Sequence, residues 1–344
     1  SRKRASSGGP VFADNKDVKD KISRYLDAKK LVPKRFQGSD EFLDIVAWNI
    51  RYFDHKDPDR IAGITDVLDT MNADVFVLTE IAKDGALDDV VDALAKRKAG
   101  FYSTFYGTTG DEQRVVMLWD RNWVRSKRPP LELFTDNPVT IAENGRKADV
   151  FPRLPVWGHF EVAATSEAEE GFTFELVGLH LKSQMKPRDF KGTGRYGIKQ
   201  RTMAARKLAD WLEAAEEHFD EDIIMVGDWN ASTEKEEWEP IRALEKSAGV
   251  SFSRINDPKI PTHLARLNKS GGGGSRLDLH LITESADAVG VPNKMGVVIQ
   301  WSFFDDLAGL DKETRDKLKA AMRLKISDHL PVASRFYLTD ARGD

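Results

Sequence analysis

Segments of strand length that run into a polar side chain recur along this chain, and they constrain its fold more than any other feature. The clearest is residues 223–226, four consecutive apolar residues followed by Gly227, Asp228 and Asn230. A short apolar run rich in β-branched residues predicts a fully buried strand. At the two-residue period of a strand, Asp228 and Asn230 lie on the same side of the chain. The sequence therefore predicts a carboxylate and an amide together at the end of a buried strand.

The same pattern occurs at four further places. Apolar segments run into Asn49, Glu80 and His180, and Asp328 and His329 directly precede another. Taken singly, a carboxylate or amide at such a point is an ordinary helix cap or turn former, and a histidine is an ordinary core residue. Five occurrences in one chain are hard to attribute to capping. Because strand ends meet at the rim of a sheet, where α/β proteins place their active sites, the pattern favours a functional site.

Strands and helices alternate from Phe42 onward, which indicates an α/β protein. Hydrophobic periodicity predicts strands near residues 43–49, 75–80, 115–119, 156–162, 172–181, 223–226, 277–283 and 331–338. It predicts helices near residues 59–71, 87–96, 198–217, 236–248 and 312–323. The strands at 156–162 and 172–181 have no helix between them, so the sheets should be mixed. No glycine-rich nucleotide-binding loop opens any of the helices.

Two regions are predicted, an N-terminal extension at residues 1–40 and a main domain at residues 41–340. Residues 1–10 are basic and rich in glycine and serine, which predicts a disordered tail. Apolar residues recur at helical spacing over residues 15–30, which predicts a helix packed on the outside of the domain.

Composition excludes several classes of function. The absence of cysteine excludes disulfides, thiolate metal ligands and cysteine nucleophiles, and it slightly favours a secreted or periplasmic location. No apolar run approaches the roughly 18 residues of a membrane span. The net charge of −4 gives no global attraction to nucleic acid, so an anionic substrate must be bound by a local basic patch or by cations. The segment 271–275 has the composition of a flexible linker, either natural or engineered, so little backbone order is expected there.

Seven short motifs carry a family resemblance and follow one another in this order: Trp48-Asn49-Ile50-Arg51, Leu78-Thr79-Glu80, Arg153-Leu154-Pro155, Gly178-Leu179-His180-Leu181-Lys182-Ser183, Gly227-Asp228-Trp229-Asn230, Ser275-Arg276-Leu277-Asp278 and Ser327-Asp328-His329-Leu330-Pro331-Val332. Together they resemble the endonuclease/exonuclease/phosphatase superfamily, and most closely its deoxyribonuclease-I-like branch. The resemblance spans about residues 42–337. It implies a four-layer α/β/β/α sandwich, in which two mixed sheets pack face to face between helices and share one active site at their common edge.

The resemblance also implies divalent-metal-dependent cleavage of a phosphate ester by water. The chemistry of the residues agrees, because an anionic phosphodiester resists hydroxide unless a cation binds the phosphate oxygens and the attacking water is activated. Carboxylate and amide oxygens suit Mg²⁺ or Mn²⁺, with Ca²⁺ as an alternative structural or auxiliary ion. By similarity, Glu80 is the principal metal carboxylate, Asn49 lies beside the metal, and Asp328 is a second ligand on that side.

The resemblance assigns acid–base roles to five further residues. Asp228 is similar to the carboxylate that orients or activates the water, and Asn230 to the residue that steers the same water or the phosphate. His329 resembles the histidine that contacts the scissile phosphate, with Asp278 fixing its tautomer and favouring imidazolium. His180 is similar to the second histidine of the family, a general acid toward the leaving oxygen.

Basic side chains are predicted to bind the phosphate and the rest of the substrate. By similarity, Arg51 and Arg153 position the phosphate, for which a guanidinium is suited. Against a single acid, residues 182–206 contain eight basic residues: Lys182, Lys186, Arg188, Lys191, Arg195, Lys199, Arg201 and Arg206. Together with Phe190 and Tyr196 they predict a nucleic-acid contact, unless Arg201 and Arg206 lie on the outer face of the following helix. The substrate-binding candidates in this segment are Lys182, Lys186, Arg188 and Arg195.

Three departures from the family pattern narrow the prediction. Gln113 stands where deoxyribonuclease-I-like members have a glutamate that pairs with the first histidine, so the protonation of His180 is less secure than that of His329. Ser275 and His180 occupy positions where abasic-site endonucleases carry a tryptophan and a tyrosine-type residue, which argues against abasic-site specificity. The Gly-Asp-Leu-Asn and Cys-Asp-Arg units of the inositol-phosphatase branch are absent, which disfavours a lipid or inositol phosphate substrate without removing it.

The remaining aromatic and histidine residues are predicted to be structural. Trp301 and the residues 302–304 after it favour a core position over a wedge between bases. Histidines in polar stretches, predicted to be exposed, are His55, His218 and His263. Histidines predicted to lie inside strands are His159 and His280.

The sequence as a whole predicts a divalent-metal-dependent nuclease that hydrolyses phosphodiester bonds in DNA, with RNA as an alternative polymer, at low sequence specificity. The main alternative is a phosphatase or phosphodiesterase that acts on a lipid headgroup or a small phosphate ester. A non-catalytic nucleic-acid-binding module is less favoured, because a decayed enzyme would rarely keep every metal and acid–base position.

Overall fold

The computed structural model describes residues 16–143, 146–163, 171–185, 197–214, 218–247, 250–252 and 260–338. The predicted tail at residues 1–10 lies outside these ranges, as do the substrate-binding candidates Lys186, Arg188 and Arg195.

The helices of the described ranges include each predicted one, although the helix predicted over residues 15–30 is divided in two, and a short helix at residues 284–289 was not predicted. They are α1 (Lys16–Tyr25), α2 (Ala28–Leu31), α3 (Pro58–Met71), α4 (Asp88–Arg97), α5 (Ile198–Glu213), α6 (Glu239–Ser247), α7 (Glu284–Val289) and α8 (Lys312–Lys325). Short 3₁₀-helices are found at Lys34–Phe36, Glu236–Trp238 and Ser302–Gly309. Pro240 falls in the first turn of α6, where its missing N–H costs no helical hydrogen bond.

The strands are β1 (Phe42–Phe53), β2 (Val75–Ile81), β3 (Tyr102–Tyr106), β4 (Arg114–Asp120), β5 (Val124–Ser126), β6 (Leu131–Glu132), β7 (Thr140–Glu143), β8 (Arg146–Asp149), β9 (Val156–Val162), β10 (Thr173–His180), β11 (Ile223–Asp228), β12 (Val250–Phe252), β13 (His263–Asn268), β14 (Gly271–Ser275), β15 (Asp278–Thr283), β16 (Val297–Val298) and β17 (Val332–Tyr337). Each strand predicted from the apolar runs is present; four are longer than predicted, β9 has the predicted bounds, and β10, β15 and β17 are shorter by one or two residues.

Most of the described strands form two mixed sheets. In the first, the order is β16-β17-β1-β2-β4-β3, with β1 parallel to β2 and antiparallel to β17. In the second, the order is β12-β15-β11-β10-β9-β5, with β6 also paired to β9. Strand β10 is parallel to β11 and antiparallel to β9, as the absence of a helix between β9 and β10 predicts.

Alternate residues of the central strands separate the core into layers. In β1, Ile45 packs in a cluster between the two sheets, whereas Trp48 packs in a cluster with α3. In β11, Ile224 lies between the sheets, whereas Met225 packs in a cluster with α5. Both faces of the central strands are therefore buried, which explains why they are continuously apolar rather than alternating. The predicted four-layer α/β/β/α sandwich is confirmed.

The register between β10 and β11 depends on Gly227. This residue has φ 139°, and a Cβ there would lie 2.1 Å from the carbonyl oxygen of Leu179. With glycine the two strands approach closely enough to pair His180 with Asp228. On the other side of β11, Asp228 pairs with Asp278. Three predicted site residues thus lie side by side on neighbouring strands.

The glycine-rich segment 271–275 is not the flexible loop that its composition predicts. It forms β14, which pairs with β13 in a two-stranded hairpin. Close packing requires glycine at position 274, since a Cβ there would lie 1.9 Å from the carbonyl oxygen of His263. The expectation of poor order is wrong because the partner strand supplies the backbone hydrogen bonds that the missing side chains do not.

The N-terminal helices pack against the main domain. Leu31 and Val32 belong to the same apolar cluster as Trp48. Trp301 is 1% exposed and meets Trp48 edge to face, at 5.7 Å between ring centroids, so its predicted core position is correct. None of the helices in the described part of the chain combines the length and hydrophobicity that a bilayer crossing requires.

Candidate active site

A hydrogen-bonded network of three side chains joins the two sheets at one edge. The Asn49 amide nitrogen donates to Oε1 of Glu80 at 3.0 Å and to Oδ2 of Asp228 at 3.1 Å. Asn49 and Glu80 come from neighbouring strands of the first sheet, and Asp228 comes from the second. Residues 31 and 179 positions from Asn49 therefore meet at one amide group, as the sequence predicts.

The backbone around this network adopts left-handed conformations that residues other than glycine usually avoid. Glu80 has φ 63°, Asn230 has φ 58°, and Arg51 and Tyr52 have φ 49° and 44°. Such conformations cost about 1–3 kcal/mol each and persist only where surrounding contacts hold them. Here the amide of Arg51 donates to Oδ1 of Asn49 at 2.9 Å, and the amide of Tyr52 donates to Oε2 of Glu80 at 3.2 Å. The strained turn thus orients both predicted metal-side residues.

Asp278 and His329 form the predicted pair. Nδ1 of His329 lies 2.7 Å from Oδ2 of Asp278, and both side chains are buried. The hydroxyl of Thr262 accepts from the amide of Asp278 at 2.9 Å. Ser327 links the pair to the first network, because its hydroxyl accepts from the amide of His329 at 3.0 Å and donates to the carbonyl of Asn49 at 2.7 Å.

The electrostatics of His329 favour the imidazolium form. Burial alone would lower its pKa, but the charge and hydrogen bond of Asp278, followed by the charges of Asp228 and Asp328, raise the pKa of His329 to about 10. A cationic ring is a poor metal ligand, so His329 is suited to bind an anionic phosphate instead.

The electrostatics of Asp228 favour the protonated, neutral form of its carboxyl group. Burial raises its pKa, and the negative charges of Asp278 and Glu80 add to this effect against His329 and Asn49, so that the pKa of Asp228 reaches about 7. Ligand atoms of Asp228, Asp278 and His329 lie within 4.8 Å of one another. A cation nearby would relieve this surplus of negative charge, and Glu80, which shares the amide of Asn49 with Asp228, could hold it.

His180 is buried beside Asp228, at 2% exposure. Its Nε2 lies 3.7 Å from Oδ2 of Asp228. Burial, followed by the charge of Arg153, holds the pKa of His180 well below its usual value, against an opposing effect of the Gln113 main chain. The Gln113 side chain does not pair with it and donates to the Tyr52 hydroxyl at 2.7 Å. The pKa of His180 is therefore lowered and that of His329 raised, which is the difference that a glutamine at position 113 predicts.

Arg153 and Asn230 meet at one main-chain carbonyl beside the network. Nη2 of Arg153 and Nδ2 of Asn230 each donate to the carbonyl of Leu181 at 3.0 Å. The amide of Asn230 also donates to Oδ1 of Asp228 at 2.9 Å. Arg153 is only 5% exposed and feels the charges of Asp228 and Glu80, so its cation lies at the site.

Asp328 does not join the network around Asn49. Its Oδ2 lies 3.1 Å from Nε of Arg323 and 3.6 Å from Nε of Arg51. The Asp328 carboxylate, which the resemblance assigns as a metal ligand, therefore forms ion pairs with two arginines. Arg51 is brought to the same edge, but it contacts Asp328 at this position.

The described basic residues of segment 182–206 do not all lie where a nucleic acid could contact them. Lys182 follows the site directly and is half-buried. Arg201 is not on the outer face of α5: it is fully buried, donates to the carbonyl of Lys182 at 2.8 Å and pairs with Glu237 at 3.0 Å. Arg206 is exposed. That alternative is thus wrong for Arg201, because a partner 36 residues away compensates its burial.

His263 belongs beside the site although its polar surroundings predict exposure. It pairs with His329 through an isolated backbone bridge, and the two ring centroids are 5.0 Å apart. His218 is also not exposed, since its ring nitrogens contact Glu175 and the carbonyl of Trp211 at 3.2 and 2.9 Å. His159 and His280 are buried in their strands as predicted. Nothing in the local sequence of His263 signals its position, which depends on the β13–β14 hairpin.

Sequence comparison places this site in a known family. A sequence profile described as Endonuclease/Exonuclease/phosphatase family matches residues 46–329, which is most of the chain. The chain belongs to the endonuclease/exonuclease/phosphatase family. Members of this family are phosphoesterase hydrolases that depend on divalent metals. None of the curated proteins compared with the sequence matches it.

Solved structures share the fold. A conserved protein of unknown function from Enterococcus faecalis V583 aligns with TM-score 0.53 and 11% identity, over 85% of this chain and 98% of its own. The human Nocturnin catalytic domain aligns with TM-score 0.51 and 13% identity, over 87% and 95%. A mannosyl-6-phosphatase from Bacteroides thetaiotaomicron VPI-5482 aligns with TM-score 0.50 and 14% identity, over 85% and 98%. At these identities the likeness concerns the fold of the endonuclease/exonuclease/phosphatase family and not a particular substrate.

Proposed function

We propose that this protein is a divalent-metal-dependent nuclease that hydrolyses phosphodiester bonds in DNA, with RNA as an alternative polymer, at low sequence specificity. The observation that carries the proposal is the pairing of a buried imidazolium, His329, with a separate carboxylate pair, Glu80 and Asp228, at one sheet edge. Such an edge offers both a cation-binding set and a fixed positive charge to one phosphate group.

Each of these side chains has a chemical task in the proposal. A divalent cation held by Glu80, with Asn49 beside it, would neutralise phosphate oxygens and lower the pKa of a bound water. His329, held as imidazolium by Asp278, donates a hydrogen bond to a phosphate oxygen and stabilises charge that grows in the transition state. Arg153 adds a second buried positive charge on the same side.

Proton transfer falls to Asp228 and His180. With its pKa raised to about 7, Asp228 is suited to accept a proton from the attacking water near neutral pH. Asn230 fixes the carboxylate through the 2.9 Å bond from its amide. The lowered pKa leaves the His180 ring neutral near neutral pH, so His180 serves as the general acid toward the leaving oxygen only in the fraction of molecules in which it is protonated.

A polymeric substrate is favoured by groups at the rim. Tyr52 is 48% exposed, and the arginines Arg51 and Arg323 lie close by at Asp328. An exposed aromatic ring beside guanidinium groups is suited to stack a base and follow a phosphate backbone. The basic residues of segment 182–206 add to this in the sequence.

One observation favours the second candidate, a phosphatase or phosphodiesterase for a lipid headgroup or small phosphate ester. Asp228 and His180 are 2% exposed and Asp278 is 1% exposed, so the reacting groups are deeply placed, and a terminal phosphate reaches such groups more readily than a duplex. The fold is also found in a mannosyl-6-phosphatase. A non-catalytic binding role is disfavoured, because it needs no paired imidazolium and carboxylates. A secreted or periplasmic location rests on the absence of cysteine alone and stays a prediction.

The experiment compares matched substrates with purified protein and Mg²⁺ or Mn²⁺, each with and without chelator. The substrates are one sequence as single-stranded DNA, duplex DNA and RNA, together with a soluble inositol phosphate and a hexose 6-phosphate. The proposal expects metal-dependent cleavage of internal bonds in DNA. Release of inorganic phosphate from the small esters, with every polymer intact, would contradict the nuclease proposal and support the phosphatase candidate.

A further inference from the structure

Arg60, in the first turn of α3, points its guanidinium into the strained turn that ends β1. Nη1 donates to the carbonyl of Tyr52 at 3.1 Å. Nη2 donates to the carbonyl of Arg51 at 2.6 Å and also to that of Ile50. Three consecutive main-chain carbonyls are therefore bound by one side chain. The side chain itself is half-buried, and Asp57 caps the helix beneath it by accepting from the Arg60 amide at 3.3 Å.

The turn that Arg60 holds determines where two site residues point. Arg51 and Tyr52 both have positive φ, and their amides donate to Asn49 and Glu80 at 2.9 and 3.2 Å. A turn without glycine has no intrinsic preference for this conformation. The carbonyls on its outer side must be satisfied for the amides on its inner side to face the carboxylate and the carboxamide.

The same guanidinium reaches a second segment of the site. Nη2 of Arg60 lies 3.4 Å from the carbonyl of Ile326, which ends α8 and precedes Ser327. Ser327 in turn bonds the carbonyl of Asn49 and the amide of His329. Arg60 therefore joins the turn that carries Asn49 to the segment that carries His329.

We infer that Arg60 is a positioning residue for the cation-binding set: it fixes the Arg51–Tyr52 turn so that Asn49 and Glu80 are held in the orientation that binds the metal. The inference rests on the proposed function, since it concerns the same cation. It goes beyond that function because Arg60 touches none of the predicted ligand atoms. Among the described residues it forms no ion pair, so its donors are directed to carbonyl groups.

Two simpler roles predict different results. If Arg60 acted only through its charge, it would repel a cation near Glu80, and removing the charge would tighten metal binding. If Arg60 only stabilised the fold, its loss would lower the thermal midpoint of the metal-free protein and leave metal affinity unchanged. Positioning predicts weaker metal binding whether the charge is kept or removed, because only the planar fork reaches several carbonyls at once.

The test titrates Mn²⁺ into the full chain and follows free Mn²⁺ by electron paramagnetic resonance, without substrate. The variants are Arg60→Lys, which keeps the charge, Arg60→Met, which removes it, and Arg97→Met as a matched control. Arg97 also contacts α3, through Asp66 and Asp69, but at the exposed far side of the helix. Thermal midpoints of the metal-free proteins are measured in parallel.

Both Arg60 variants are expected to raise the Mn²⁺ dissociation constant at least about ten-fold, as the loss of outer-shell partners does elsewhere. The Arg97→Met variant is expected to stay within about two-fold of the unsubstituted protein, because exposed ion pairs contribute little. Unchanged affinity in Arg60→Lys, or tighter binding in Arg60→Met, overturns the inference and leaves the proposed function standing. If the unsubstituted protein binds no Mn²⁺, the proposed function fails and the inference with it. Should Arg60→Met not fold, the lysine variant alone decides.

Discussion

Oδ2 of Asp278 and Nδ1 of His329 lie 2.7 Å apart, although the two residues are separated by 51 positions in the chain. Both are buried, and the pair is oriented by Thr262 on one side and Ser327 on the other. This contact keeps a positive charge inside the protein at neutral pH, because Asp278 outweighs the effect of burial on the pKa of His329. A fixed buried cation beside carboxylates is the feature on which the proposed catalysis depends.

The Asp278→Asn variant tests this pair. The pKa of His329 is raised to about 10, so its positive charge persists up to that pH and is lost above it. Without the Asp278 charge the pKa falls, and activity is expected to decline already as pH rises through the range from 6 to 8, with a loss of about 10²–10⁴ in kcat/KM at pH 8. The measurements are pH profiles of kcat/KM and NMR titration of the imidazole. Profiles of the same shape for both proteins would contradict the assigned role.

Asp74 provides a prediction about stability away from the site. Burial, followed by the charges of Asp44 and Asp120, raises the pKa of Asp74 to about 7 against the bond from the Asp44 amide. A raised folded-state pKa means that stability is fully present below the unfolded value near 4 and is lost as pH rises toward 7. In the unsubstituted protein the Asp44 amide donates to Oδ2 of Asp74 at 2.7 Å. Asp74→Asn keeps an oxygen that can accept this hydrogen bond and removes the charge.

This substitution is therefore expected to raise the free energy of unfolding by about 1–2 kcal/mol at pH 8, after allowance for partial exposure, and by little at pH 4. Urea denaturation of both proteins at pH 4, 6 and 8 measures the difference. The same difference at all three pH values would show that the Asp74 charge is not the cause.

Gly227→Ala tests the strand register that brings His180 to Asp228. An alanine Cβ would lie 2.1 Å from the carbonyl oxygen of Leu179, at a φ of 139° that alanine rarely adopts. The variant is expected to lose more than about 3 kcal/mol of unfolding free energy, since backbone atoms must move.

Gly63→Ala is the matched control for that experiment. Gly63 lies inside α3, and a Cβ there would meet its nearest neighbour, Cδ1 of Ile326, at an ordinary 3.6 Å. This change is expected to stabilise the protein by about 0.5–1 kcal/mol through helix propensity. A Gly227→Ala protein as stable as the control would show that the register does not depend on glycine.

The strand ends could be predicted from the sequence because their signal is local. Asn49, Glu80, His180 and Asp228 each follow an apolar run, and a buried strand delivers the polar residues near its end to the rim of the sheet. Strand pairing then places them side by side, as the His180–Asp228 register shows. The sandwich follows from the same runs, since strands that are apolar on both faces require a layer on each side.

Other features depend on contacts that no local pattern contains. Asp328 is drawn to Arg323 because α8 ends beside it, and the sequence gives no sign of this pairing. Arg201 is buried because Glu237 lies opposite it. His263 reaches His329 only through the hairpin with β14, whose glycines suggest a linker when seen alone. For Arg201 and His263 the deciding partner is far away in sequence, whereas Arg323 is near Asp328 in the chain and reaches it only because of where α8 ends.

The most direct test of the central claim is nicking of supercoiled plasmid by the unsubstituted protein and by its Glu80→Gln and His329→Gln variants, with Mg²⁺ and with chelator. Glu80 and His329 are far apart in the sequence, so a loss of nicking in both variants, with thermal midpoints unchanged, indicates that they serve one centre. We predict Mg²⁺-dependent nicking that chelator abolishes and that each substitution lowers by at least about 10²-fold. Nicking that persists with chelator, or that survives either substitution, would contradict the account.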